Sequence, residues 1–179
     1  SKAAANQTFG NRDYFTSCPY IAEKVTLVNG QGVVWNFRLH VSMYYEGRYI
    51  YGDFNHDGLK DAAVVIGESQ GGSDDEISLA FLINNGGQLI HKKSAVLGSS
   101  VIINSLKERN GKVVVDMFVR QDGDCMAGPT NHVKSVLAYG GDGRWMDGKR
   151  IPVRSFFDPV NLLLKNQSLT YVLERWRTL

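Results

Sequence analysis

Apolar and polar positions alternate at spacing two over much of this chain, and Gly/Asn turn pairs interrupt the alternation at short intervals. Successive side chains of a strand point to opposite faces, and Asn-Gly supplies the positive φ angles of a tight hairpin, so the pattern predicts strands joined by short turns. KVTLV and QGVVWNF flank Asn29-Gly30. ISLAFLI and QLIHKKSAVL flank Asn84, Asn85, Gly86 and Gly87, and SVIINSLKE and KVVVDMFV flank a turn at Asn110-Gly111. YYEGRYIYG alternates aromatics, and HVKSVLAYGG supplies one more strand. DAAVVIG departs from the rule. Its unbroken apolar run predicts a strand buried on both faces. Sequential pairing of these segments gives a mainly β, antiparallel meander.

The end of the chain reads differently. FFDPVNLLLKNQSLTYVLERWRTL places Asp158 and Pro159 as N-cap and first helical residue, then Leu162, Leu163 and Leu164. Ser168 is a second cap before Leu169, Val172, Leu173 and Trp176 at helical spacing. Residues 156–179 are therefore expected to form a short helical segment that covers a sheet face. The 179 residues suit a single domain, with residues 25–139 as its β core.

Composition narrows the class. Apolar residues make up 43% and charged residues 21%, as in globular chains. A net charge of +2, with no Lys/Arg-rich run carrying interleaved aromatics, argues against a nucleic-acid binder. Acids concentrate in residues 53–86 and bases in residues 144–179, which reads as two solvated faces or as a basic arm for an acidic surface. No stretch reaches the ~20 apolar residues of a membrane span. The opening SKAAANQT has no charged-then-apolar signal segment and reads as a mature or trimmed start.

The candidate chemistry lies in YGDFNHDGLKDAAVVI. Asp53, Asn55, Asp57 and Asp61 follow the spacing D-x-N-x-D-G-x-x-D, with Lys60 as the nearest base. Close carboxylates repel one another unless a cation or donors compensate them. A hard cation such as Ca²⁺ takes six to eight oxygens, and a tight loop can turn alternate side chains inward to meet it. Gly58 would let the chain turn so that the Leu59 carbonyl joins the shell. Val64 stands where an EF-hand has its bidentate Glu, and strand residues flank the loop, so this is not an EF-hand. The competing reading is a metal-free turn held by Asx hydrogen bonds.

This stretch resembles the calcium loops of FG-GAP and VCBS-type β-repeats and, more loosely, of dockerins. By that resemblance Asp53, Asn55, Asp57 and Asp61 give side-chain oxygens to Ca²⁺ and Leu59 a backbone carbonyl. Over about residues 25–139, YGDFNHDGLKDAAVVIGESQGG, LAFLINNGGQLI, VLGSSVIINSLKERNGKVVVDMFV and AGPTNHVKSVLAY are similar, in that order, to a bacterial family of exported, often lipid-anchored proteins. His56 stands where that family has glycine. The resemblance implies an extracytoplasmic (periplasmic or secreted), β-rich domain with no assigned activity, and with the loop the expected function is a non-catalytic calcium-binding module with a protein or surface partner.

A second function class comes from GESQG, which matches G-x-S-x-G. Ser69 would be the nucleophile of a small secreted serine hydrolase, with His132 and Asp124 completing a triad. An elbow serine needs a helix after it, whereas ISLAFLI follows here, so the glycines are expected to form a mobile loop instead. His40, His91 and His132 make no metal-binding spacing and are expected at the surface or capped by hydrogen bonds. The three tryptophans are expected in the core or against the C-terminal helix. Cys18 and Cys125 are either two inert thiols or one disulfide, the latter expected in an oxidising compartment.

Overall fold

The computed structural model describes residues 2–16, 24–35, 40–121, 124, 128–140, 143–146, 149–152 and 156–157. The strands expected from the alternating segments form. They are β3 (Gln31–Trp35), β4 (His40–Gly52), β5 (Asp61–Ser69), β6 (Glu76–Asn85), β7 (Gln88–Ser99), β8 (Ile102–Arg109), β9 (Lys112–Val119) and β10 (Asn131–Ala138). Gly86-Gly87 and Asn110-Gly111 turn two of the hairpins, with φ of 62° and 89° and of 52° and 70°, the all-positive pairs that match strand twist.

The meander is split between two antiparallel sheets. β3 to β7 pair in sequence within a six-stranded sheet, and β8 to β10 continue into β11 (Gly143–Met146) and β12 (Lys149–Pro152) in a five-stranded one. Val65, Leu79, Phe81, Ala95 and Leu97 of the first sheet pack with Val113, Val115, Met117, Val133 and Leu137 of the second, so one apolar core lies between them.

A second core explains why Ala62 to Ile66 are apolar at every position. Ala62, Val64, Ile66, Ala80 and Leu82 point to the opposite face of the six-stranded sheet. There they meet Ala5 and Phe9 of α1 (Lys2–Phe9), Tyr14 of β1 (Asp13–Phe15), and Val25 and Leu27 in and beside β2 (Lys24–Thr26). Residues Asp61 to Glu68 are buried without a break.

Several expectations need correction. Asn29-Gly30 makes its turn, but the flanking segments are not a paired hairpin. β2 pairs with β1, β3 pairs with β4, and only Val28 bridges Gln31. Gly67 lies inside β5, where an added Cβ would sit 2.3 Å from the Tyr44 ring, so this glycine makes room for an aromatic cover and belongs to no mobile loop. Trp35 is 71% exposed on the edge strand β3, outside either core, and its ring lies 4.5 Å from that of His40. Phe156 and Phe157, the start of the stretch expected to be helical, form β13 and pair with Ala95 and Ser94 of β7. The rest of that segment, Cys18 and Cys125 lie outside the described residues.

Candidate metal site

The aspartate loop is the connection from β4 to β5, closed where Gly52 pairs with Asp61. His56 (φ 61°) and Gly58 (φ 82°) reverse the chain. Side chains at alternate positions then fold back on the loop's own amides. Asp53 Oδ1 accepts the Asp57 N–H at 3.1 Å and Oδ2 the Gly58 N–H at 3.0 Å. Asn55 Oδ1 accepts the same Asp57 N–H at 3.2 Å, and Asp57 Oδ1 accepts the Leu59 N–H at 2.8 Å. Asn55 Nδ2 donates to Asp57 Oδ2 at 2.7 Å. This is Asx-turn chemistry, which fixes the loop's curvature locally.

Two anchors hold the loop to the body of the protein. Phe54 is buried and meets Phe81 edge-on, with centroids 5.4 Å apart. Asp61 is wholly buried; its Oδ2 accepts the Phe54 and Asn55 N–H groups at 2.9 and 3.4 Å, and its Oδ1 accepts Asn84 N–H at 2.8 Å. A buried carboxylate is tolerated when donors surround it, and these amides do so here.

Among the described residues the loop's charge is left without an ion pair. The Lys60 ammonium sits 4.3 Å from the Tyr51 ring centroid, a cation–π contact, and no ion pair reaches Asp53 or Asp57 among the described residues. The turn between β8 and β9 walls one side. A Cβ added to Gly111 would lie 2.3 Å from His56 Cε1 and 2.9 Å from the Asp53 carbonyl oxygen.

The structure therefore brings Asp53, Asn55 and Asp57 together and turns Asp61 toward amides. Leu59 is exposed beside them. Among the described residues no three Asp, Glu, His or Cys side chains converge as a preformed metal site. The donors that the loop gathers are oxygens, two of them carboxylates, which is the chemistry a hard cation accepts.

The alternative triad is not assembled. Ser69 ends β5 opposite Ser42, and residues 70–75 turn directly into β6. His132 Nε2 bonds Asp116 Oδ1 at 2.8 Å on the five-stranded sheet. That bond, the Asn104 amide and the Lys134 charge hold the Asp116 carboxyl down at about 2. Asp124 is spent on Thr130 and the Gln121 amide, which lower its proton affinity as well.

His91 was not singled out by its spacing, yet it is the most constrained histidine described. It is buried; Nδ1 accepts the Phe15 N–H at 2.9 Å and Nε2 lies 2.9 Å from Ser94 Oγ. An Nδ1 that accepts leaves the proton on Nε2, so the ring donates to Ser94 and does not activate it. Burial brings this imidazole down to about 4.

Against models of protein families, curated proteins and solved structures, the chain matches none.

Proposed function

We propose that this chain is a non-catalytic, calcium-binding β domain with a structural or interaction role outside the cytoplasm. The observation that carries the reading is the Asp53–Asp61 connection, where Asp53, Asn55 and Asp57 hold side-chain oxygens over a single turn and, among the described residues, no ion pair reaches the two carboxylates. Asp53, Asn55 and Asp57 would supply side-chain oxygens and Leu59 its carbonyl. Asp61 adds negative charge beneath them, its oxygens keeping lone pairs beyond the amide bonds they accept. The Asn55 Nδ2–Asp57 Oδ2 bond is the contact that a cation replaces, with the Asn55 amide turned to present its oxygen.

Calcium chemistry also fits a location outside the cytoplasm. Extracellular-type sites bind at ~10⁻⁴–10⁻³ M, which suits a calcium-rich exterior and leaves a cytosolic copy empty. Export would favour a Cys18–Cys125 disulfide. The partner is a protein or a surface.

Calorimetric titration of chelator-treated protein, with elemental analysis of the protein as purified, tests the reading. Calcium uptake that Asp57→Ala abolishes supports it. Absence of calcium from both measurements removes it, and labelling of Ser69 by a fluorophosphonate probe would put a hydrolase in its place.

A further inference from the structure

The outer face of the five-stranded sheet is basic. Val113, Val115 and Met117 of β9 point into the core between the sheets, so Lys112, Val114, Asp116 and Phe118 point outward. Strand pairing extends that face. Arg109 lies opposite Lys112 and Lys107 opposite Val114, while Lys134 and Val136 lie opposite Asp116 and Val114. Lys107, Arg109, Lys112 and Lys134 are exposed. Glu108 is opposite the core residue Val113 and so points the other way, where its Oε1 accepts the Gly111 N–H at 2.8 Å. The row of Lys107, Val114 and Val136 continues in register through Trp145 of β11 to Arg150 of β12.

The charge on this face is not balanced. Asp116 is the one acid there among the described residues, and it is already committed. It accepts Asn104 and His132 at 2.9 and 2.8 Å, and the Lys134 ammonium lies 3.6 Å away. Lys107, Arg109 and Lys112 make no ion pair among the described residues. Arg109 and Lys112 are moreover like charges placed directly opposite one another, which costs a sheet stability. Folding gains nothing from that arrangement, whereas an anion lying across the face would.

We propose that this face binds a linear acidic polysaccharide, a polymer of uronic acid units. Its rows lie ~7 Å apart along the strands and its strands ~4.8 Å apart, so carboxylates repeated along a chain can meet Lys107, Arg109 and Lys112 in charge-assisted pairs. Val114 and Val136 are half-buried and flush between the bases, a floor for the C–H faces of the sugar rings. An anionic membrane fits less well. It rewards apolar side chains that project beyond the bases, and among the described residues the face offers Ile102, at the end away from Arg109. Single-stranded nucleic acid stacks on open rings, whereas Phe118 is half-buried against the His132 ring, with centroids 4.9 Å apart.

The polysaccharide would be the surface in the interaction role proposed above, and the inference holds whether or not the loop binds calcium. Its test is therefore calorimetric titration of the full chain in calcium-free buffer. The probes are oligogalacturonate, the same oligomer fully methyl-esterified, vesicles containing phosphatidylglycerol, and oligothymidylate. Oligogalacturonate is expected to bind with Kd below about 100 μM at low salt, and the uncharged ester at least about tenfold more weakly. Raising the salt from about 50 to about 300 mM should weaken the acid markedly. The triple variant Lys107→Gln/Arg109→Gln/Lys112→Gln is expected to lose about tenfold or more in affinity without a fall in melting temperature. Arg48→Gln, which removes an exposed base from β4 of the other sheet, should bind as the wild type does. No binding of oligogalacturonate at about 1 mM overturns the proposal. So does equal binding of the ester, wild-type affinity in the triple variant, an equal loss in Arg48→Gln, or tighter binding of the vesicles or of oligothymidylate.

Discussion

Asp61 at the start of β5 and Asn84 near the end of β6 clasp one another across adjacent strand ends. The Asp61 carboxylate accepts the Asn84 amide at 2.8 Å, and the Asn84 side chain returns a bond to the Lys60 carbonyl at 3.1 Å. The aspartate loop and the β6–β7 turn are thereby one mechanical unit, since Asn84 Oδ1 also accepts the Gly87 N–H at 2.9 Å.

Asp61→Ala should therefore destabilise the fold with or without calcium. It strips the acceptor from the Phe54, Asn55 and Asn84 amides, and a loss of about 3 kcal/mol is expected in urea unfolding. Asp61→Asn, which keeps one oxygen, should lose less. A loss that appears only when calcium is present would reassign Asp61 from brace to ligand.

Asp57→Ala should behave in the opposite way. Asp57 is exposed, and its bonds stay within the loop, to Leu59 and Asn55. In chelator its effect on melting should be small, while the wild type alone gains from millimolar calcium. That gain is about 1–2 kcal/mol for a site of extracellular affinity, and magnesium should not reproduce it.

His91 gives the protein an acid sensitivity of its own. Its folded value, about 4, lies below the ordinary 6.5, so the unfolded chain binds a proton between those values and the folded chain does not. Stability is full above about pH 6.5 and falls as the pH drops toward 4, by about 3 kcal/mol at the limit. Protonation of Nδ1 also removes the acceptor of the Phe15 amide, so β1 should loosen first. His91→Gln should flatten this window in a series of urea melts. The carboxyl of Asp116, held at about 2, contributes in a lower window, lost as the pH falls from the usual carboxylate range through 2.

Gly111→Ala should be costly out of proportion to one methyl. The residue sits at φ 70°, and the added carbon would meet the His56 ring. About 2 kcal/mol is expected from backbone strain and overpacking together. The same change in a His56→Gly background should recover part of it in thermal melts. Equal losses in both backgrounds would assign the cost to the backbone alone.

The strands and most turns were legible because Asn-Gly and Gly-Gly pairs mark them at single-residue precision. The double burial of β5 was legible too, since Ala62 to Ile66 leave no polar position. The aspartate loop's residues were legible as a spacing, but not the turn of Asp61 toward Asn84, which depends on a strand brought alongside by the sheet. The second core was hidden for a related reason. Ala5, Phe9 and Tyr14 are scattered among polar residues in KAAANQTFGNRDYF, and no periodicity there announces what they cover. Trp35 misled because size alone favours burial, whereas an edge strand has one side without a neighbour.

β5 lies between β4 and β6 and under side chains on both faces. Its amides are thus closed to solvent from every direction, and local fraying cannot release them. In hydrogen–deuterium exchange the amides of Ala63 to Ile66 should be among the slowest in the chain, tracking global unfolding, while those of His56 to Lys60 exchange through small local openings. Between the two, Asp61 marks a steep boundary in exchange rate. A ligand at the loop that binds only the folded state would slow both sides of that boundary, and the slowing within β5 would report its full binding free energy.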